Sequence, residues 1–508
     1  MSKFGSSTCF LLTFCLANYV LISEAITSCV QTPHPEVCKY FLQSDSLVDG
    51  DSLLIDHSLT VTSNLVKQAR ESLSLNVKLA DPRADSAWSD CLDLYDDTLE
   101  CITSSTTDRN PDDLQTLISA AIANQETCKN GFADLNMAVP SAIALPLMAN
   151  ISMLLSNALA INKPGTAPFL RNGGRKLLAD GFPSWVSYKD RKLLQSSGVS
   201  GANAVVAKDG SGDYTTIGEA VAKAGGGGSR FVIHVKAGVY QEYVTIPKSK
   251  KNIMLVGDGA GSTVITGNKH AGQTTTFRSA TFAVMGEGFI GKDITFENTA
   301  GPQNHQAVAF RSGSDRSVCY GCSFIGYQDT LYVYSMRQFY RDCSVYGTVD
   351  FIFGDAVAVL QNCNIYIRKP MSGQRNTVTA SGRTDPNENT GIIIQSSKIM
   401  GSAGLGGGIS YLGRPWQKYA RTVIMTTSID SVINPAGWLP WSGSFALSTL
   451  YYAEYMNTGG GASTSGRVKW GGYHALTSST EASKFTVGNF LSGNSWIPAT
   501  GVPFDSGL

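Results

Sequence analysis

An all-α bundle followed by an all-β coil of parallel strands is the architecture that this 508-residue chain predicts. Three observations point to it. Before residue 165, apolar side chains recur at the three- and four-residue steps of helices. After residue 203, short β-branched and aromatic runs recur with a period near 20 residues. Glycine changes between the two halves, with 7 of the 52 before residue 195 and 45 after it. Charge divides at the same boundary: residues 1–194 hold 15 Lys+Arg against 21 Asp+Glu, and residues 195–508 hold 25 against 19. A hydrophobic share of 43% excludes a disordered chain, and a net charge of zero argues against nucleic acid as the main partner. The basic half is suited to meeting either the acidic half or a polyanion.

At the N-terminus, Lys3 precedes an apolar run from Cys9 to Ile22, and Ser23-Glu24-Ala25 supplies small residues where a leader peptidase cuts. The run suits a secretory leader and is short for a membrane span, so residues 1–25 are expected to leave an exported mature chain with no membrane association. An uncleaved anchor is the competing reading. Of 11 cysteines, Cys9 and Cys15 leave with the leader. In an oxidising compartment, Cys29 and Cys38, which bracket TPHPEV, are expected to bridge. Cys319-x-x-Cys322 is weak as a zinc or redox motif, because it has no second C-x-x-C and no histidine cluster near it. No cofactor and no metal site are expected. Asn150-Ile151-Ser152 is a candidate glycan acceptor.

The first helical stripe is Trp88, Cys91, Leu92, Tyr95, Leu99 and Ile102. The second is Leu114, Leu117, Ile118, Ala121 and Ile122, behind Asp112 and Asp113 at a helix start. Segments 52–79 and 141–160 are compatible with two more amphipathic helices, and four helices on short loops predict an antiparallel bundle. Cys91 and Cys128 then lie on neighbouring helices and can cross-link them. His34 and His57 are isolated. The stretches TPHPEVC, AWSDCLDLYDDTLECI and ETCKNGF resemble the plant invertase and pectin methylesterase inhibitor family, with Cys101 an extra cysteine. The resemblance implies an inhibitor-like four-helix domain over residues 26–165.

Residues 166–202 read as a linker, polar and without sustained periodicity. It holds Arg175-Lys176-Leu177-Leu178 and again Arg191-Lys192-Leu193-Leu194. A dibasic tetrapeptide repeated in an exposed tract predicts a processing protease there, with the mature enzyme beginning shortly after Leu194.

In the second half, Thr216-Ile217-Gly218-Glu219 has the form of a capping box ahead of one short helix through Ala224. Self-similar strands follow: ITFEN at 294–298, CSFIG at 322–326, CSVYG at 343–347 and CNIYI at 363–367. Such a period predicts successive coils of a parallel β-helix on which equivalent positions stack. An antiparallel sandwich, the competitor, needs hairpin turns every 8–12 residues. Cys322, Cys343 and Cys363 are expected to form a ladder, with a Cys322–Cys343 disulfide as one outcome.

The same period brings polar residues into phase. Gln306 and Gln328 are one coil apart, as are Asp329 and Asp350. Neighbouring strands lie about 4.8 Å apart, so two carboxylates on adjacent coils can act on one bond. Asp350 lies in the apolar run TVDFIF, where a charge needs compensation. Gln328 and Asp329 point oppositely in a regular strand, so a bend is required between them. Nucleophile-elbow, zinc-protease and phosphate-loop motifs are lacking, and six scattered histidines suggest no triad.

FRSATFAV, GFIGKDITFENTAGP, HQAVAFR, GYQDTLY, RQFYRDC, GTVDFIFG, LGRPW, PAGWLPW and TGVPF resemble plant pectin methylesterases (pectinesterases) over residues 203–508. Departures are Ser381 in TASGR, where glutamine is expected, and Cys319, where an aromatic is usual. The resemblance implies a right-handed parallel β-helix that hydrolyses methyl esters of homogalacturonan in the cell wall. By it, Asp350 is the nucleophile and Asp329 the general acid and then base. Gln306 and Gln328 donate to the oxyanion, and Arg414 holds Asp350 ionised. One such oxyanion donor is worth about 2.7–4 kcal/mol of barrier. Thr276, Tyr332, Phe353, Trp416 and Trp438 are candidate substrate contacts beside Gln306 and Arg414. The helical half is then an autoinhibitory pro region, and a separate proteinaceous inhibitor is a further candidate partner. Two alternatives stay open: glycosidic cleavage of polygalacturonan by the same two carboxylates, or release of the first domain as an inhibitor in its own right.

Overall fold

The computed structural model describes residues 28–42, 51–74, 81–107, 110–137, 145–162, 201–225, 228–405 and 409–508. The leader, the linker and both dibasic sites (Arg175, Lys176, Arg191, Lys192) lie outside the described residues. In the first half a short helix α1 (Pro35–Leu42) precedes four long ones: α2 (Asp51–Ser74), α3 (Pro82–Thr107), α4 (Pro111–Asp134) and α5 (Leu145–Ile161). Each long helix packs on two others in a closed ring of α2, α3, α4 and α5, the expected bundle. Local chemistry sets the start of α4: Pro111 opens it and Asn110 Oδ1 accepts from the Asp112 amide at 3.0 Å. Two disulfides staple the domain. Cys29–Cys38 ties α1 to the turn before it, and Cys91–Cys128 joins α3 to α4 with Cα atoms 4.7 Å apart. Asn150 of the sequon lies partly exposed within α5.

The second half is a parallel β-helix. The Ile217–Lys223 helix caps its start, with Thr216 Oγ1 accepting from the Glu219 amide. Three parallel sheets of 11, 8 and 7 strands follow, and every strand pairs with its counterpart one coil away. Repeats found in the sequence are stacked rungs: Phe296, Phe324, Val345 and Ile365 pair in succession. They point into a core where Phe282, Phe296, Phe310 and Phe324 stack with centroids 4.8–5.8 Å apart.

The cysteine ladder exists, but its disulfide does not. Cys322, Cys343 and Cys363 occupy equivalent positions, and all are free buried thiols, as are Cys101 and Cys319. In an in-register parallel ladder the Cα–Cβ bonds run side by side instead of converging. Each of the three ladder thiols lies against a carbonyl instead; Cys343 Sγ is 3.3 Å from both Cys319 O and Arg341 O.

The seven-stranded sheet positions the site. In spatial order its strands are 410–413, 376–381, 352–354, 331–333, 310–312, 282–284 and 244–246. The helical domain lies against its outer face, and one apolar cluster spans both. Leu94, Ile118 and Phe132 of the bundle share it with Phe277, Tyr334 and Phe353 of the β-helix.

Candidate active site

The corner leading into the seven-stranded sheet carries the two aspartates. Leu331 pairs with Ile352, so Asp329 and Asp350 stand in register two residues earlier on adjacent coils. Both adopt left-handed backbone, φ 63° and 50° respectively. That conformation supplies the bend required at Gln328-Asp329, and aspartate is among the few residues that tolerate it. The glutamines are also one coil apart: the Ala307 amide donates to Gln328 O at 3.2 Å. Among the described residues neither carboxamide has a side-chain hydrogen-bond partner, which leaves both free to donate into the pocket.

The two carboxylates have different surroundings. Asp350 Oδ1 accepts from Arg414 Nε at 2.9 Å and Oδ2 from Arg414 Nη2 at 2.6 Å. Thr377 Oγ1 donates to Oδ1 at 2.6 Å. This is a two-pronged, charge-assisted grip on an anion. Asp329 has no such partner. Burial first, then the negative charges of Asp350 and Asp134, push its carboxyl well above the usual range against a smaller pull from Arg414. One aspartate is gripped by a guanidinium and a threonine hydroxyl; the other lacks such a grip and has its carboxyl pushed up by burial and like charge.

Around them is a cavity of about 200 Å³ that takes in Thr276, Gln306, Gln328, Asp329, Tyr332, Asp350, Phe353, Arg414 and Trp416. Tyr332 and Phe353 stack at 4.2 Å, and Trp416 meets the Phe353 ring at 5.9 Å. Gly382 seats that indole, since a Cβ there would come within 3.0 Å of it. Trp438 is a correction. It is 1% exposed, stacks on Tyr452 at 4.2 Å and donates from Nε1 to Glu454 at 3.2 Å, so it belongs to the core. Its backbone bridges Gly413, while Trp441, three residues on and 38% exposed, lines the pocket under Arg414 at 4.3 Å. PAGWLPW held both tryptophans, and spacing alone did not choose between them. Thr377 was also missed, because the coil before it carries a long loop that breaks the period. Ser381 lies off the pocket, where its Oγ accepts from the Arg421 amide.

The pocket has a fourth wall that no repeat could have indicated. Thr127, Asn130, Gly131 and Asp134 of α4 line it. Thr276 Oγ1 donates to Asp134, Arg278 pairs with Asp90 at 2.6 Å and Asp93 at 2.7 Å, and Lys248 pairs with Asp97 at 2.9 Å. Further out, Arg337 and Arg316 both hold Asp113. The helical domain thus covers the aspartates with an acidic face set on a basic one.

The pectinesterase family model matches residues 203–494, and the plant invertase/pectin methylesterase inhibitor model matches residues 24–161. The chain is 55% identical to the probable pectinesterase/pectinesterase inhibitor 17 of Arabidopsis thaliana, covering 94% of each. It is 52% identical to pectinesterase 2 of Citrus sinensis, over 96% of this chain and 95% of that one. The solved pectin methylesterase from carrot matches 62% of this chain and 100% of its own, with 57% identity and a TM-score of 0.60. These matches bear out the expected right-handed parallel β-helix behind an inhibitor-type bundle.

Proposed function

The chain belongs to the pectinesterase family and carries an inhibitor-type domain; from this we infer that residues 203–508 hydrolyse methyl esters of homogalacturonan, giving pectate and methanol. The observation that carries the reading is the asymmetry of the two aspartates, one gripped by Arg414 and the other raised by burial and like charge.

In this mechanism an Asp350 oxygen attacks the ester carbonyl carbon, and the carbonyl electrons move onto the oxygen. Gln306 and Gln328 donate hydrogen bonds to that oxyanion. Collapse breaks the bond to the methoxy oxygen, which takes the proton of Asp329 and leaves as methanol. An acyl-enzyme anhydride on Asp350 remains. Asp329, now a carboxylate, accepts a proton from water as the water oxygen attacks the acyl carbon. Breakdown returns Asp350 as a carboxylate and Asp329 as an acid. Tyr332, Phe353, Trp416 and Trp441 offer faces to sugar rings, and Thr276 a hydroxyl.

The helical domain restrains the enzyme by filling the approach to this pocket. We take 1–25 as leader, 26–165 as pro domain, 166–202 as linker and 203–508 as enzyme. A protease at Arg175-Lys176 or Arg191-Lys192 would free the enzyme. No described helix is long and apolar enough to cross a membrane; export to the cell wall rests on the leader and the family, and glycosylation on Asn150. A separate inhibitor of the same helical type is the partner that the uncovered face would accept.

The test is an assay of cut and uncut chain on highly methylated pectin, following methanol and chain length together. Methanol without new reducing ends from the cut chain supports the ester reading. New reducing ends would instead select the glycosidase.

A further inference from the structure

Arg368, which among the described residues is not part of the pocket lining, grips the chain just before Gln328 and Asp329. Its Nη1 donates to Gly326 O at 2.7 Å and its Nη2 to Tyr327 Oη at 2.8 Å, with the guanidinium 3.8 Å from the centre of the Tyr327 ring. Its backbone amide donates to Gly347 O at 2.7 Å, three residues before Asp350. One residue thus ties its own coil to the corners of the two preceding coils, and those are the coils that carry the aspartates. The corners sit close together because position 347 is glycine: a Cβ there would come within 2.8 Å of Tyr327 O. Tyr327 O itself accepts from the Thr348 amide at 2.9 Å.

Such a clamp answers a need that the site creates. Asp329 is left-handed at φ 63°, and strained backbone persists only where its surroundings over-determine it. The Ala307 amide holds Gln328 O on one side, and Val349 O accepts from the Asp329 amide at 3.1 Å on the other. Those bonds hold the two residues to the neighbouring coils; Arg368 holds the corner through which the chain enters the bend. Arg368 also opens the long loop that breaks the period. Asn376 Nδ2 donates to Arg368 O at 3.2 Å and closes that loop, and the next residue is Thr377, whose hydroxyl donates to Asp350. The two ends of one loop therefore each hold the chain at one aspartate.

We propose that Arg368 is a positioning residue for the reaction: clamped on Gly326 and Tyr327, it fixes the left-handed turn at Asp329, and with it the aim of the Gln328 carboxamide and the Asp329 carboxyl into the pocket. The proposal rests on the esterase reading above and adds to it a residue outside the pocket. Losing the clamp lowers kcat and spares substrate binding, because a misaimed donor is missed only when charge develops on the ester oxygen.

The β-helix has its own apolar core, drawn entirely from residues after 203, and the carrot chain stands alone in the same fold. Residues 201–508 are therefore assayed without the helical domain, on a short methyl oligogalacturonate, with a thermal melt beside each variant. Arg368→Gln is expected to lower kcat about tenfold while KM stays within about twofold. Arg368→Lys, which keeps a charge and a donor without the flat two-pronged grip, recovers part of the loss. Arg368→Gln combined with Gln328→Ala loses less than the product of the two single changes, since both act through one carboxamide. As a control, Arg341→Gln breaks a comparable contact on the eleven-stranded sheet, Arg341 Nη1 to Gln361 Oε1 at 2.6 Å, and leaves kcat unchanged. Hydrogen exchange of the peptide 324–332 reads the clamp without turnover, and quickens about tenfold in Arg368→Gln while 352–361 is unaltered. If Arg368→Gln unfolds at a lower temperature, Tyr327→Phe, which removes only the hydroxyl acceptor, carries the same split between kcat and KM. An unchanged kcat, a loss confined to KM, an Arg341→Gln loss as large as that of Arg368→Gln, or unaltered exchange at 324–332 overturns the proposal. No methanol from the unsubstituted fragment overturns the esterase reading instead, and the exchange comparison still judges the clamp.

Discussion

Asp134 of the helical domain accepts a hydrogen bond from Thr276 Oγ1 at 2.8 Å inside the pocket that holds Asp329. These residues are 142 positions apart in the chain, and their contact brings a third carboxyl into a site built around two. The cover therefore does more than obstruct. Its charge adds to the burial and the Asp350 charge that push the Asp329 carboxyl above its usual range.

Docking of the helical domain should weaken as pH rises. Burial raises Asp90 to about 6, opposed in part by Arg278 and the Thr275 hydroxyl, and burial also raises Asp97 and Asp134. A carboxyl with a higher proton affinity when docked takes up a proton on docking between its free value, about 4, and its docked one. Docking is then strongest at the acid end and is lost progressively up to about pH 6, with no further change from Asp90 above that. For Asp90 alone the span is at most about a hundredfold in affinity. Titrating linker-cut chain for reassociation from pH 4 to 8 checks this. Asp90→Asn should flatten the dependence, and a profile that strengthens toward neutral pH would contradict it.

If Asp350 is the nucleophile, as proposed, Asp350→Asn should lower kcat by at least about a thousandfold while the fold persists. The ion pair with Arg414 becomes a neutral contact, so some stability is lost as well. Methanol release at saturating pectin, beside a thermal melt, separates the two effects.

On the proposed mechanism, Gln328→Ala takes away one oxyanion donor. Single donors of this kind are worth about a hundredfold to a thousandfold in kcat, with KM little changed. Stopped assays on short methyl oligogalacturonates read the split; a loss confined to KM would assign Gln328 to ground-state binding.

Cysteine connectivity is a direct check on the ladder. Non-reducing peptide maps should contain Cys29–Cys38 and Cys91–Cys128, and alkylation after denaturation should label Cys101, Cys319, Cys322, Cys343 and Cys363. A recovered Cys322–Cys343 peptide would restore the bridge that the in-register rungs disfavour.

Much of this protein could be read along the chain, for a physical reason. Helices and coiled strands both repeat within 4 to 22 residues, so Leu114-x-x-Leu117-Ile118 declares a bundle helix. The 21-residue step from Asp329 to Asp350 likewise puts two acids on adjacent rungs. Arg414 and Trp416 were reached through LGRPW. Periodicity could not say which tryptophan of PAGWLPW turns outward, nor that stacked thiols stay reduced, because those depend on side-chain direction at a corner. Still less could it reveal that Asp134 meets Thr276, or that the α3 acids meet Arg278 and Lys248. Contacts across a domain boundary carry no spacing rule. They are decided by which surfaces lose least when water leaves both, and only the assembled molecule poses that choice.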